Sequence, residues 1–205
     1  MAELINKRAK SVHKVAKVHL KIDSGMGRIG IRQEGEIIRL YTALQSMSNL
    51  SLRGIFTHLS SADNCDRSYT LGQLMYFKAI LSKIIKMHVP NIWIHAANTA
   101  SIFNYPESHF NMVRPGIGIY GYLPGWDRKD NPGLEPALSW YTKIVYLKQL
   151  GAGCSISYGR TYTTNKTRTI ATIPVGYGDG YSRLLGNKGW VLIKGEKAPI
   201  VGNIC

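Results

Sequence analysis

Residues 15–63 read VAKVHLKIDSGMGRIGIRQEGEIIRLYTALQSMSNLSLRGIFTHLSSAD, and this stretch decides the fold. Val15–Ile22 is a short β-rich run that ends in a polar, glycine-rich loop, Asp23-Ser24-Gly25-Met26-Gly27-Arg28. Glu34–Met47 then carries helix formers, and Leu52–Thr57 is a second β-rich run ending in His58-Leu59-Ser60-Ser61-Ala62-Asp63. Strand, loop and helix in repetition predict βαβ units and a parallel sheet. The pattern continues beyond the stretch. Leu74, Phe77, Leu81 and Ile84 step by three and four and give the predicted helix Tyr69–Met87 one apolar face, with Pro90 and Asn91 stopping it. Ile92–Ile94 is the third predicted strand, closed by His95-Ala96-Ala97-Asn98-Thr99, and Ala100–Asn104 a short helix. Met112 and Val113 begin a fourth strand-like unit next to Arg114-Pro115-Gly116. In parallel sheets ligand groups collect on the loops after the strands' C-terminal ends, and here each of those loops is polar. Four in succession imply a single rim.

Around Pro124–Pro136 the composition turns rich in Gly, Pro and Asp, which reads as a linker over residues 126–136. Beyond it no amphipathic helix is legible. Leu138–Leu150, Ser155–Tyr158, Thr167–Ile173, Trp190–Ile193 and Ala198–Val201 read as strands separated by glycine turns. The predicted architecture is α/β plus all-β. Residues 1–125 hold about four strand units of a (β/α)8 TIM-type barrel, taken as its C-terminal half, and residues 137–205 part of a β-rich domain. A whole barrel takes roughly 250 residues, so further segments are expected at both ends of a functional protein.

Composition narrows the classes of function. The 205 residues are 44% hydrophobic and 19% charged, which excludes a disordered, collagen-like or coiled-coil chain. No apolar run approaches the ~18 residues of a membrane helix, and no signal peptide is legible at the N-terminus. Three scattered cysteines form neither a disulfide framework nor a CxxC zinc site, so the expectation is a cytoplasmic protein with no metal. The formal charge of +14 admits nucleic acid, an anionic membrane or an anionic small ligand. The absence of any RNP, KH or zinc-finger pattern turns the expectation away from nucleic acid.

Several residues have two readings on their own chemistry. Arg28 is a solvated loop cation or a fork for a carboxylate. Lys21 is solvated or paired with Asp23. His58 is structural or catalytic, and Arg114 an ion-pair residue at the barrel end or a ligand. Asn98-Thr99 is a helix N-cap or part of an anion site, two roles that share the same exposed amides. Tyr177, within Gly176-Tyr177-Gly178-Asp179-Gly180, is a turn aromatic or an acid/base.

A resemblance separates these alternatives. Lys21-Ile22-Asp23-Ser24-Gly25-Met26-Gly27-Arg28-Ile29-Gly30 resembles the K-x-D-T/S-G-M-x-R-x-G segment of the alanine racemases, pyridoxal-phosphate (PLP) enzymes with an N-terminal barrel and a C-terminal β domain. The likeness continues in the same order through Thr57-His58, the run His95 to Ala100, the run Asn111 to Ile117, the run Ser157 to Tyr162, the run Ile173 to Gly180 and the run Pro199 to Cys205. It implies an enzyme interconverting L-alanine and D-alanine by two-base proton transfer on the PLP-bound amino acid, supplying D-alanine for peptidoglycan. By the same resemblance Tyr177 is the catalytic acid/base and Arg28 binds the substrate carboxylate. Lys21, a candidate for carbamylation, and His58 support them. Asn98, Thr99, Gly116 and Ile117 hold the cofactor phosphate, and Arg114 donates to its pyridine nitrogen. It further implies a homodimer in which the tyrosine reaches the other subunit's site. The family's Schiff-base lysine lies in a motif resembling A-x-x-K-A-x-A-Y-G-H-G, which is absent from these 205 residues, so the chain alone is expected to be inactive. A serine or broad-specificity racemase, or a non-catalytic fragment of one, stays open at this level.

Overall fold

The computed structural model describes residues 1–87, 92–125 and 132–205. The expected helix stop at Pro90 and Asn91, and residues 126–131 of the expected linker, lie outside the described residues. Two compact units are present, Met1–Leu138 and Ser139–Cys205.

The first unit begins with helix α1 (Ala2–Ser11), which the basic N-terminal stretch had not suggested. Its Ala, Leu, Glu, Lys and Arg are good helix formers. Glu3 lies in the first turn and Arg8 and Lys10 in the last, each favourable to the helix dipole. Then come β1 (Ala16–Lys21), α2 (Glu34–Ser46), β2 (Leu50–Phe56), α3 (Ser68–Ile85), β3 (Trp93–His95) and α4 (Thr99–Asn104). The three strands form a parallel sheet in the order β1-β2-β3. Its helix-facing side is the core. The four α3 residues of the expected stripe, Leu74, Phe77, Leu81 and Ile84, are all buried, joined by Ile80 and packed with Leu20, Ile22, Ile37, Tyr41 and Ile55.

The register sets the opposite side of the sheet. Lys21, Phe56 and His95 form one row across the strands, and His19, Gly54 and Trp93 the next. A register shift between Val18 and His19 leaves Arg53 unpaired and aligns these rows. The expected fourth strand at Met112–Val113 does not form. Asn111 takes its place with side-chain bonds: Oδ1 accepts from Ile94 N at 2.6 Å, and Nδ2 donates to the Ile92 carbonyl at 2.9 Å. Arg114 N reaches the Ala97 carbonyl at 3.0 Å. Pro115, next in the chain, has no N–H with which to extend a ladder.

The second unit contains three antiparallel pairs, β4 (Tyr146–Leu150) with β7 (Arg168–Thr172), β5 (Ser155–Ile156) with β6 (Tyr162–Thr163), and β8 (Trp190–Ile193) with β9 (Glu196–Pro199). The expected long strand Leu138–Leu150 is pared to its last five residues. Thr164 is the unit's polar pin. Its Oγ1 lies 2.6 Å from the Gly151 carbonyl and accepts from Cys154 N at 2.9 Å. Within the described residues no helix is long and apolar enough to cross a membrane.

Candidate active site

The first rim loop is held by Asp23. Its Oδ1 accepts the amides of Gly25 at 3.1 Å and Gly27 at 3.0 Å. The Gly27 bond is the main reason its carboxyl is held below the usual range. Gly25 has φ +142 and a Cβ there would lie 2.8 Å from the Tyr69 hydroxyl, so the turn requires glycine. Tyr69 donates to the Gly25 carbonyl at 2.8 Å, and the Ser24 and Thr57 hydroxyls are 2.6 Å apart. The loop presents Arg28 to solvent. The alternative of a Lys21–Asp23 ion pair is not realised: the ion pairs among the described residues are Arg39–Glu36 and Lys83–Glu34.

Lys21 points its ammonium over the Phe56 ring, 4.8 Å from the centroid. Burial, then Arg114 and Arg28, pull its pKa down, and Asp23 opposes them. Phe56 stacks on His95 at 4.7 Å and 13°, and the Arg114 guanidinium lies 5.6 Å from the same phenyl ring. Phe56 is thus the floor of a cluster of cations and imidazoles.

Arg114 is the hub. Its Nη2 donates to the carbonyls of Thr57 at 2.9 Å and Ala96 at 3.1 Å and reaches His58 Nδ1 at 3.3 Å. Its Nη1 contacts His95 Nδ1. Arg114 has no carboxylate among these partners, so the ion-pair alternative does not hold. Burial, with Arg114 next in weight, lowers both imidazoles, His58 to about 4 and His95 to about 3. Both are therefore neutral at physiological pH. The sequence motifs include His95 without assigning it a role, and they do not single out His19 or Phe56. β3 is shifted one residue from its expected position, which places His95 inside the strand. The available signal was the strand alternation itself, which puts residues two apart on one face.

The remaining rim is the mouth of α4. Asn98 is its N-cap: its side chain accepts from Ser101 N at 3.1 Å, and the Ser101 hydroxyl accepts from Asn98 N at 2.8 Å. Thr99 Oγ1 accepts the amides of Gly116 at 2.9 Å and Gly118 at 3.1 Å. A hydroxyl has two lone pairs and one hydrogen, so Thr99 is left as a donor. A Cβ on Gly118 would sit 2.8 Å from the Thr99 methyl, so the cradle closes only around glycine. Ile117 opens the 3-10 turn Ile117–Tyr120 beside it. A helix mouth, a donor hydroxyl and glycine backbone suit a phosphate. With the desolvated Arg114 nearby on the same rim, these residues fit pyridoxal phosphate. No His, Cys, Asp and Glu cluster among the described residues has metal-site geometry.

In the second unit Tyr177 starts the 3-10 turn Tyr177–Asp179. Asp179 accepts from Gly176 N at 2.9 Å, and Gly180, at φ +91, ends the turn. Tyr177 is 60% exposed, with the Arg183 guanidinium 5.6 Å from its ring. It borders an apolar groove of about 770 Å³ lined by residues that include Ile170, Pro174, Val191 and Ile200.

Comparison with known proteins bears on the fold. The profile of the alanine racemase N-terminal domain matches residues 1–124, and that of the alanine racemase C-terminal domain matches residues 137–205. An alanine racemase of Halothermothrix orenii is 45% identical over 201 residues, covering 98% of this chain and 53% of that one. The alanine racemase of Clostridium difficile 630 superposes with a TM-score of 0.88 at 41% identity, covering 100% of this chain and 53% of its own. The enzyme of Bartonella henselae, solved with covalently bound pyridoxal phosphate, gives 0.82 at 28% identity, covering 100% and 55%. The chain spans about half the length of the curated relatives it matches. The fold is that of part of an alanine racemase barrel followed by the family's β domain.

Proposed function

The chain belongs to the alanine racemase family, and on that premise we propose that it carries most of one PLP-dependent site for interconverting L-alanine and D-alanine. The observation that supports this most is Arg114, a half-buried cation whose side-chain partners are carbonyls and neutral histidines.

Thr99 donates to the cofactor phosphate, with Asn98, Gly116 and Ile117 shaping the cup. When bound, the cofactor withdraws electrons from the amino acid's α-carbon and acidifies its proton. Arg114 would hold the pyridine nitrogen. Burial lowers its pKa, but a guanidinium is so weak an acid that it would donate a hydrogen bond there and keep its proton, which restrains side reactions. Arg28 grips the substrate carboxylate in a fork.

His58 prepares the base. Arg114 can only donate, so His58 Nδ1 accepts, and the single proton of the neutral ring sits on Nε2. That N–H is free to donate to the phenol oxygen of Tyr177 from a second copy and so to orient it as the acid/base. The homodimer supplies this arrangement. The base for the opposite face is the family's lysine, whose motif these 205 residues do not contain; alone they are inactive.

Lys21 supports Arg28 as a carbamate. Its lowered pKa raises the share of neutral amine. That amine attacks carbon dioxide, forms an N–C bond and releases one proton, leaving an anion between Arg28 and Arg114. The product, D-alanine, serves peptidoglycan in the cytoplasm.

The test combines intact mass with racemisation of L-alanine and L-serine by the protein isolated from its source. A mass well above 22.8 kDa with alanine turnover supports the reading. An inactive 22.8 kDa product identifies a non-catalytic fragment, and faster serine turnover moves the substrate. In the active protein, Tyr177→Phe is expected to lower kcat by about 10²-fold or more. An unchanged rate removes Tyr177 from the mechanism.

A further inference from the structure

The hub at Arg114 extends one ring deeper than the reaction requires. His95 Nε2 lies 2.9 Å from His19 Nδ1, while His95 Nδ1 meets Arg114 Nη1. A guanidinium has five N–H donors and no acceptor. His95 Nδ1 therefore accepts, the one proton of its neutral ring is on Nε2, and that proton is directed at His19 Nδ1. His19 Nδ1 then accepts too, so its own proton is on Nε2. We infer that Arg114, His95 and His19 form a one-way donor chain, and that His19 is a positioning residue fixing the His95 ring and, through it, the Arg114 guanidinium. The consequence for a cofactor rests on the role of Arg114 proposed above; the chain of donors does not.

The fold builds this contact deliberately across strands. His19 and His95 belong to strands β1 and β3, which do not pair, and to neighbouring rows of the sheet. Between them lies Gly54 of β2. A Cβ there would stand 2.7 Å from two atoms of the His19 ring, so the missing side chain is what lets the ring pass. The register shift at Val18/His19 places His19 opposite Gly54. Phe56, stacked flat on His95, closes another side of that ring. The groups acting on His95 are Arg114, His19 and Lys21, none of them acidic, so nothing nearby favours its cation. Burial lowers His19 as well.

Histidine-labelled chain and long-range proton–nitrogen NMR read the tautomers without any cofactor, so this result and the fate of the racemase reading are independent. Both rings are expected neutral at pH 8 with the proton on Nε2. A proton on Nδ1 of either ring, or a cationic His95 at that pH, overturns the chain. The positioning role is read from two variants. His19→Asn keeps an oxygen acceptor near the Nδ1 position, and His19→Phe keeps a ring without one. In His19→Phe the His95 Nε2–H is expected to exchange with solvent at least about fivefold faster, the equivalent of one neutral hydrogen bond. The Arg114 side-chain resonances should shift with it, and His19→Asn should restore both. Unchanged exchange and unchanged Arg114 signals in His19→Phe, with the α3 amides still protected, refute the role.

Discussion

In the first unit, α3 lays Leu74, Phe77, Ile80, Leu81 and Ile84 against the sheet, and Phe77 and Ile84 are 0% exposed. In the second unit the alternation along β8 leaves Leu192 60% exposed, and the buried side chains are Thr164 and Ile204. One unit is held by apolar burial, the other by polar pins. Beside Thr164, Asn187 Oδ1 accepts from Gly202 N at 2.6 Å, and Asn203 Nδ2 donates to the Tyr158 carbonyl at 2.7 Å. A parallel sheet covered by helices has a dry side on which to build a core, whereas short antiparallel pairs around an open groove do not. The chemistry divides the same way. The first unit holds the neutral histidines and the proposed cofactor cup; the second holds the exposed Tyr177 on a capped turn.

Core truncation should break the comparison most strongly. Phe77→Ala is expected to cost about 3–5 kcal/mol in urea unfolding, while Leu192→Ala stays within about 0.5 kcal/mol. Equal costs would mean that the second unit carries a core of its own. Acid comes next. All six histidines precede residue 110, so histidine protonation is confined to that part of the chain. The folded values of His95 and His58, about 3 and about 4, lie below the ordinary histidine value of 6.5. The stability they contribute is therefore present above pH 6.5 and lost as pH falls toward those folded values. For the shielded His95 the loss is up to about 1.4 kcal/mol per pH unit. Hydrogen exchange across that window should show α3 and the parallel strands loosening; unchanged protection would remove the histidines from the balance. The smallest effect sharpens the polar side of the contrast. Thr164→Val keeps the shape but leaves the Gly151 carbonyl and Cys154 amide without this partner, and should cost about 1–3 kcal/mol, read as faster exchange in β5 and β6.

Much of this was legible one residue at a time. The α3 stripe, the polar loop after each strand and the Asn98 cap are local patterns, and each formed where its spacing placed it. The fourth strand failed because Asn111, an adjacent side chain, replaced the ladder that β-propensity had suggested. Helix α1 was missed because its stretch is mostly polar and basic and it buries only Ala9, so it has little apolar content to mark it. His95 was misplaced by a one-residue shift of β3, which in a period-two element changes the face a side chain occupies.

By itself the sequence determined the alternation of strands and helices, the residues gathered on the rim and the family motifs they compose, since these depend on neighbours within a turn or two of chain. Tertiary structure alone decided which groups accept from Arg114, which nitrogen bears the proton in His19, His58 and His95, and that the Thr99 hydroxyl is a donor. His19 and His95 are 76 residues apart and meet only because strand register and a missing side chain at Gly54 allow it. Protonation states follow from partners, and partners at that distance are set by packing.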